Sequence, residues 1–326
     1  KPTVAVLTSG GDSPGMNAVI RSFTKTAISM GMKVIGIRHG YEGLLNKDFI
    51  ELNLETVSGI SCLGGTILHS SRSKEFNTPE GVKKAAAICR EYGIKGIAVI
   101  GGDGSFRGAR DLTNAGISCI GIPGTIDNDI KCTDYTIGFD TAINTTIGLI
   151  DRVRDTSRSH DRCFVIEVMG MNCGDIALQT GLASEANVIL VPEIEYNFQE
   201  DVIDRILNAK LNGESHFIVI VGEGVGGVSK IARHSTIAEQ IEKETGIDTR
   251  YLVFGHLQRG GAPTLKDRVM ASKMGMHAAR ILNEGKENRV IAQKNGEIVD
   301  IDITEALKID RPFDYKLYSD ALVLGQ

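Results

Sequence analysis

Lys-Pro-Thr-Val-Ala-Val-Leu-Thr-Ser-Gly-Gly-Asp-Ser-Pro-Gly, residues 1–15, decides the architecture. Thr3–Thr8 is a short apolar, β-branched run, which reads as a buried strand. The glycine loop Ser9–Gly15 follows, and helical periodicity then runs over Gly15–Met30. In the loop, Ser13 is read as an N-cap and Pro14 as a residue of the first helical turn. Gly10 and Gly11 let the backbone approach a ligand, and free N–H groups at a helix start favour anions such as phosphate. Taken alone, the loop is equally consistent with a tight strand-to-helix turn and no ligand.

The same alternation recurs along the chain. Strands are expected at Thr3–Thr8, Lys33–Arg38, Gly96–Ile100, Ser118–Ile122, Cys163–Val168, Val188–Val191, Phe217–Val221 and Tyr251–Phe254. Helical stretches include Gly15–Met30, Glu80–Tyr92, Asp140–Asp155, Gln199–Leu211 and Asp267–Glu284. Strands apolar on both faces, alternating with helices, predict an α/β fold with mostly parallel sheets and right-handed crossovers. The 326 residues suggest two domains.

Composition narrows the function. A formal charge of −5 disfavours nucleic-acid binding, which needs basic surface. No apolar run reaches membrane-spanning length. The strand that opens the chain leaves no room for a signal peptide. Cys62, Cys89, Cys119, Cys132, Cys163 and Cys173 form no Cys-x-x-Cys pair, so reduced thiols and a cytoplasmic setting are expected. Walker A, Gly-x-Gly-x-x-Gly after the first strand, and His-Glu-x-x-His are all missing, which disfavours P-loop, ordinary dinucleotide-binding and zincin readings.

Two further loops repeat the first. Gly101-Gly102-Asp103-Gly104-Ser105 places a carboxylate between glycines. Beside a phosphate that carboxylate calls for a cation, and Mg2+ typically takes one or two carboxylates plus phosphate oxygens. Pro123-Gly124-Thr125-Ile126-Asp127-Asn128-Asp129 carries two acids, which can divide a base role and a metal role in phosphoryl transfer. Each also reads as ordinary Asp turn chemistry. Ligands of open α/β sheets bind outside the carboxyl ends of strands, so the three loops are expected to converge. Arg72, Arg162, Arg250 and Arg259 are candidate anion clamps, and His256 with Arg259 flanks a further glycine turn.

Together, residues 9–18, 101–105, 123–129, Met169-Gly170 and Gly-His-Leu-Gln-Arg-Gly-Gly at 255–261 resemble the bacterial-type 6-phosphofructokinase family almost end to end. The resemblance implies two Rossmann-like three-layer α/β/α lobes: 1–138 plus 258–308 for ATP, and 139–257 plus 309–326 for the sugar phosphate. Gly11, Arg72, Ser73, Gly102, Asp103, Gly104 and Ser105 would line the ATP side. Asp103 and Asp129 would serve Mg2+. Asp127 would take the proton of the fructose 6-phosphate 1-hydroxyl, Thr125 and Asp129 would position the reacting groups, and Arg72 would offset charge on the phosphoryl group. Met169, Gly170, Met171, Glu223 and His256 would hold the sugar. Arg162, Arg250 and Arg259 would contact its 6-phosphate, the first two from a neighbouring subunit of a homotetramer. Pyrophosphate-using relatives carry Asp and Lys where this chain has Gly104 and Gly124, so the donor implied is ATP.

The chain also departs from the family pattern. Met171 replaces a usual Arg. The effector region reads Glu185, Asn187 and Glu214 where the family has Gly, an acid and Lys-rich sequence, although Arg21, Lys25 and Arg154 remain. Weak regulation by ADP and phosphoenolpyruvate is therefore expected. Extra sequence lies around Gly224–His234. The alternatives to an ATP-dependent enzyme are a pyrophosphate-dependent or mixed-substrate relative, acting also on sedoheptulose 7-phosphate, and a non-catalytic nucleotide sensor.

Overall fold

The computed structural model describes residues 1–226 and 234–325, so residues 227–233 of the added segment lie outside it. Its strands are β1 (Thr3–Thr8), β2 (Lys33–Ile37), β3 (Phe49–Leu52), β4 (Ile94–Gly101), β5 (Ser118–Thr125), β6 (Ile137–Gly138), β7 (Cys163–Val168), β8 (Val188–Leu190), β9 (Phe217–Gly222), β10 (Thr249–Val253), β11 (Arg289–Lys294) and β12 (Glu297–Asp302). Backbone contacts group the chain into two units. The first comprises Lys1–Ile126, Ile130–Thr141 and Arg259–Arg311; the second comprises Asp127–Asp129, Ala142–Gln258 and Pro312–Gln326.

The first unit holds a sheet in the order β12-β11-β5-β4-β1-β2-β3, with β6 beside the end of β5. Its centre is parallel: Leu7 of β1 faces Val99 of β4, and Val99 faces Gly121 of β5. Only β2–β3 and β11–β12 pair antiparallel. Val4, Ala5, Val6 and Leu7 are all buried, as expected of a strand covered on both faces. The second unit holds a wholly parallel sheet, β10-β7-β9-β8. Val165, Phe217 and Val219 pack there with Ile206 and Ile241 from flanking helices. Each such side chain contributes about 1.5–3 kcal/mol on full burial. The α/β, mostly parallel architecture expected from the sequence is the one observed.

Helix Met16–Ser29 buries Met16, Val19, Ile20, Phe23 and Ala27, a stripe at helical spacing. Its start differs from expectation. The N-cap is Gly15 at φ +108°, without a side-chain cap, rather than Ser13. Ser13 contributes its carbonyl, 3.3 Å from the Met16 N–H, while its buried hydroxyl lacks a partner. A left-handed cap suits glycine, and an added Cβ there would meet Ile137 at 2.6 Å. The helix packs closely on Leu265–Asn283, where a Cβ on Gly275 would collide with the Ser22 hydroxyl.

The joint between residues 135–141 and that second helix is a buried carboxylate. Asp267 accepts from the Tyr135 hydroxyl, from Gly138 N at 2.8 Å, and from Thr141 N and Oγ1 at 2.9 and 2.5 Å. Burial pushes this carboxyl up, and the hydrogen bonds from Thr141, Tyr135 and Gly138 pull it back.

Candidate functional site

In the first unit, the glycine loops Ser9–Gly15 and Gly101–Ser105 leave the carboxyl ends of the adjacent strands β1 and β4; β5 beside them ends at Thr125, and Asp127–Asp129 of the third loop belong to the second unit. The first two loops touch. The Ser9 N–H donates to Ile100 O at 2.9 Å, and a Cβ on Gly101 would lie only 2.5 Å from Ser9 O. Ser105 is buried, and its carbonyl accepts from the Tyr41 hydroxyl at 2.6 Å. A Cβ on Gly11 would lie 2.6 Å from Arg259 Nη1, which itself donates to Asp12 O at 3.2 Å. Arg259, expected at the sugar 6-phosphate, thus sits within its unit on the first loop.

Asp103 opens helix Asp103–Asn114, with Gly102 as an extended N-cap. Burial pushes its carboxyl above the ordinary range, against the pull of Arg107 and Lys131. Cβ atoms on Gly102 and Gly104 would meet nothing within 4 Å. A half-buried carboxylate flanked by open space and helix N–H groups fits a cation shared with phosphate. Among the described residues no group of three or more His, Cys, Asp or Glu side chains could hold a metal ion. Thr125 ends β5, paired with Gly138 of β6. Arg72 is exposed, and its guanidinium makes no ion pair or hydrogen bond among the described residues. Ser73 is buried, its hydroxyl accepting from Phe76 N at 3.1 Å.

In the second unit, Asp127 is buried and Asp129 half-buried. Between them Asn128 adopts φ +54° and donates to Asp175 at 2.8 Å, anchoring the turn to helix Asp175–Ala183. The carboxyl ends of β7, β9 and β10 carry the expected sugar residues. Gly170, at φ +135°, and Met171 aim their N–H groups at one Glu223 oxygen, at 3.1 and 2.6 Å. Met169 N meets Gln258 Oε1 at 3.4 Å, and the Met171 side chain is half exposed. His256 lies exposed in the turn Gly255–Arg259.

Arg162 and Arg250 come together elsewhere. Both reach Asp248, at 2.6 and 3.1 Å. Arg162 immediately precedes β7 and Arg250 is the second residue of β10, so they lie at the amino ends of strands whose carboxyl ends carry Met169 and His256. About 20 Å of strand separates Arg162 from Met169, and about 10 Å separates Arg250 from the end of β10. Arg162 and Met169 therefore lie at opposite ends of β7.

Asp175 and Asp248 escaped sequence reasoning, because they reach Asn128 and Arg162 from distant positions. Gln258 lies inside the 255–261 motif, but its contact with Met169 arises only from the fold. In the effector region the Asn187 amide donates to Glu214 at 2.8 Å, and Glu185 adopts φ +52°. The described cysteines are unpaired and mostly buried. Among the described residues no helix is long and apolar enough to cross a membrane.

The family model described as phosphofructokinase matches residues 3–282. An ATP-dependent 6-phosphofructokinase of Clostridium botulinum is 52% identical over 324 residues, covering 99% of both chains. Two solved structures superpose closely. A phosphofructokinase from Saccharomyces cerevisiae has a TM-score of 0.87 at 30% identity and is matched over 100% of this chain. One from Pichia pastoris in the T-state has a TM-score of 0.88 at 34% identity, over 99% of this chain. The chain spans 48% and 38% of those two yeast chains. On this evidence, the chain belongs to the phosphofructokinase family.

Proposed function

We propose that the chain transfers the γ-phosphoryl group of ATP to the 1-hydroxyl of fructose 6-phosphate, giving fructose 1,6-bisphosphate and ADP, a step of glycolysis in the cytoplasm. The observation that carries this reading is the pair of glycine loops, Ser9–Gly15 and Gly101–Ser105, at the carboxyl ends of the adjacent strands β1 and β4 in one unit. Such an array of backbone N–H groups suits a polyphosphate. The name borne by the 52%-identical clostridial relative supports the same donor and reaction. We assign ATP to the first unit and the sugar phosphate to the second.

In the reaction the sugar 1-oxygen attacks the γ-phosphorus in line. The bond from that phosphorus to the bridging oxygen breaks, ADP leaves, and the hydroxyl proton passes to Asp127. Burial at 6% exposure limits access of water to this base. Arg72, with no ion pair or hydrogen bond among the described residues, offsets the charge on the migrating group. Asp103 and Asp129 would hold Mg2+ with phosphate oxygens, and the ion would neutralise charge on the β- and γ-phosphates. Thr125 and Asp129 position the reacting groups. Glu223, Met169 and His256 hold the sugar.

ATP rather than pyrophosphate is supported by Gly104 and Gly124. A Cβ on Gly124 would lie 2.9 Å from Ile100 Cγ2, so a larger residue there would require Ile100 to shift. The roughly 20 Å between Arg162 and Met169 supports sites completed by Arg162 and Arg250 of a second copy, as in a homotetramer.

The test is formation of fructose 1,6-bisphosphate from ATP and fructose 6-phosphate, by the purified protein and by Asp127→Ser. The expected result is turnover by the first and a loss of several orders of magnitude in the second. Equal output from both would overturn the assignment of the base.

A further inference from the structure

Asn17 belongs to the Gly-Met-Asn-Ala stretch of the first motif, yet nothing above uses its side chain. Arg72 poses the complementary problem. It is exposed and has no ion pair or hydrogen bond among the described residues, on a segment whose only regular element between β3 and helix Pro79–Glu91 is the single turn Ile60–Cys62. A guanidinium that stabilises a migrating phosphoryl group has to be held in place beforehand, because misplacement by about 1 Å can cost roughly 100-fold in rate.

The segment is fastened by buried side chains. Asn17, 1% exposed, donates to Leu63 O at 3.2 Å and Gly64 O at 3.3 Å, and accepts from Ile67 N at 2.8 Å. Both amide donors and the acceptor are thus spent on one short stretch of backbone. Thr8, fully buried at the end of β1, donates to His69 O at 2.7 Å and meets the Thr66 hydroxyl at 3.0 Å. Ser70 then ties to Gly10 O at 2.6 Å. These bonds run in sequence toward residue 72, from the two regular elements that frame the first glycine loop.

We propose that Asn17, supported by Thr8, is a positioning residue for the reaction: it sets the course of residues 63–70 so that Arg72 is presented in a fixed place. This rests on the phosphoryl-contacting role given to Arg72. An amide is required at residue 17, because a carboxylate of the same shape would face the Leu63 and Gly64 carbonyls with like charge. Asn17→Asp and Asn17→Ala therefore fail alike.

The experiment is a double-mutant cycle read in kcat and in KM for ATP, on Asn17→Ala, Arg72→Ala and the pair. The expected result is a kcat lower by about 10- to 100-fold in Asn17→Ala, with a smaller change in KM. In the Arg72→Ala background the same change is expected to cost almost nothing more. A wild-type kcat in Asn17→Ala overturns the proposal. So does an equal loss with and without Arg72, which is the mark of general destabilisation. If Arg72→Ala alone keeps the wild-type kcat, the role of Arg72 fails instead, and the two failures are distinct. Should Asn17→Ala not fold, Thr8→Val keeps shape while removing the hydroxyl and enters the same cycle with the same expected outcomes.

Discussion

Replacing Gly104 by Asp separates ligand chemistry from folding. A Cβ at Gly104 meets nothing within 4 Å, and the residue stands second in helix Asp103–Asn114. Within a helix, glycine costs about 0.5–1 kcal/mol relative to alanine. An acid in the first turn contributes about 0.3–1 kcal/mol through the helix dipole. Thermal stability should therefore hold or rise slightly. Function should move the other way. A unit charge about 4 Å from a phosphate costs roughly 4 kcal/mol at an effective dielectric near 20. Exposure at this position screens part of that, leaving about 3–4 kcal/mol, or some 10²- to 10³-fold in kcat/KM for ATP. The assay is steady-state formation of fructose 1,6-bisphosphate against ATP concentration, paired with a melting curve and repeated at higher salt. The loss should shrink as salt rises. Unchanged kcat/KM for ATP in a folded variant would refute the placement of the nucleotide at residues 101–105.

Mixing Arg162→Ala chains with Asp127→Ser chains under conditions that exchange subunits should restore activity that neither has alone; no recovery on verified exchange would place all determinants in one copy. His234 should make stability fall with alkali. Burial disfavours its charge, but hydrogen bonds with Glu167 at 2.8 Å and Val225 O at 2.9 Å, together with the Glu167 charge, hold its pKa above the usual value. The stabilisation is complete below about pH 6.5 and is lost as pH rises through the raised value; a His234→Gln variant should melt with a flatter dependence, and an identical profile would remove His234 from this role. Regulation by phosphoenolpyruvate and ADP should be weak, since Glu214 takes the Asn187 amide, and burial with Arg158 and Arg154 lowers the pKa of His216 and so disfavours a positive charge there. Strong cooperative inhibition by phosphoenolpyruvate in steady state would contradict this.

Central strands were legible because burial on both faces forces near-continuous apolar runs, as in Thr3–Thr8 and Cys163–Val168. The hairpin Arg289–Asp302 was not. Its outer strand Glu297–Asp302 is nowhere fully buried and Arg289–Lys294 buries only Val290, Ile291 and Ala292, so the apolar runs are short, although Asn295-Gly296 between them, at φ +50° and +86°, is a hairpin signal that residue order offered. The loops Ser9–Gly15 and Gly101–Ser105 could be read directly, since close approach of backbone demands glycine. Arg162 and Arg250 were legible as phosphate-type cations, but Asp248, which gathers them, was not, because their proximity arises from the pairing of β7 with β10. The π-helical turn Phe198–Ile203 ahead of Asp204–Leu211 also lay beyond periodicity, which treats the stretch as one regular helix.

Asp267 has a consequence for how the molecule comes into being. Its carboxylate is the acceptor for donors at residues 135, 138 and 141, all made long before it during synthesis. Until the ribosome has passed residue 267, those donors have no native acceptor and β5 has no β11 beside it. Neither unit is thus whole until late in synthesis: the first waits for Arg259–Arg311, and the second for the closing segment that begins at Pro312. A stalled nascent chain ending at Gln258 should accordingly leave residues 1–141 open to protease, and protection of that stretch at so early a stop would show that the joint is dispensable.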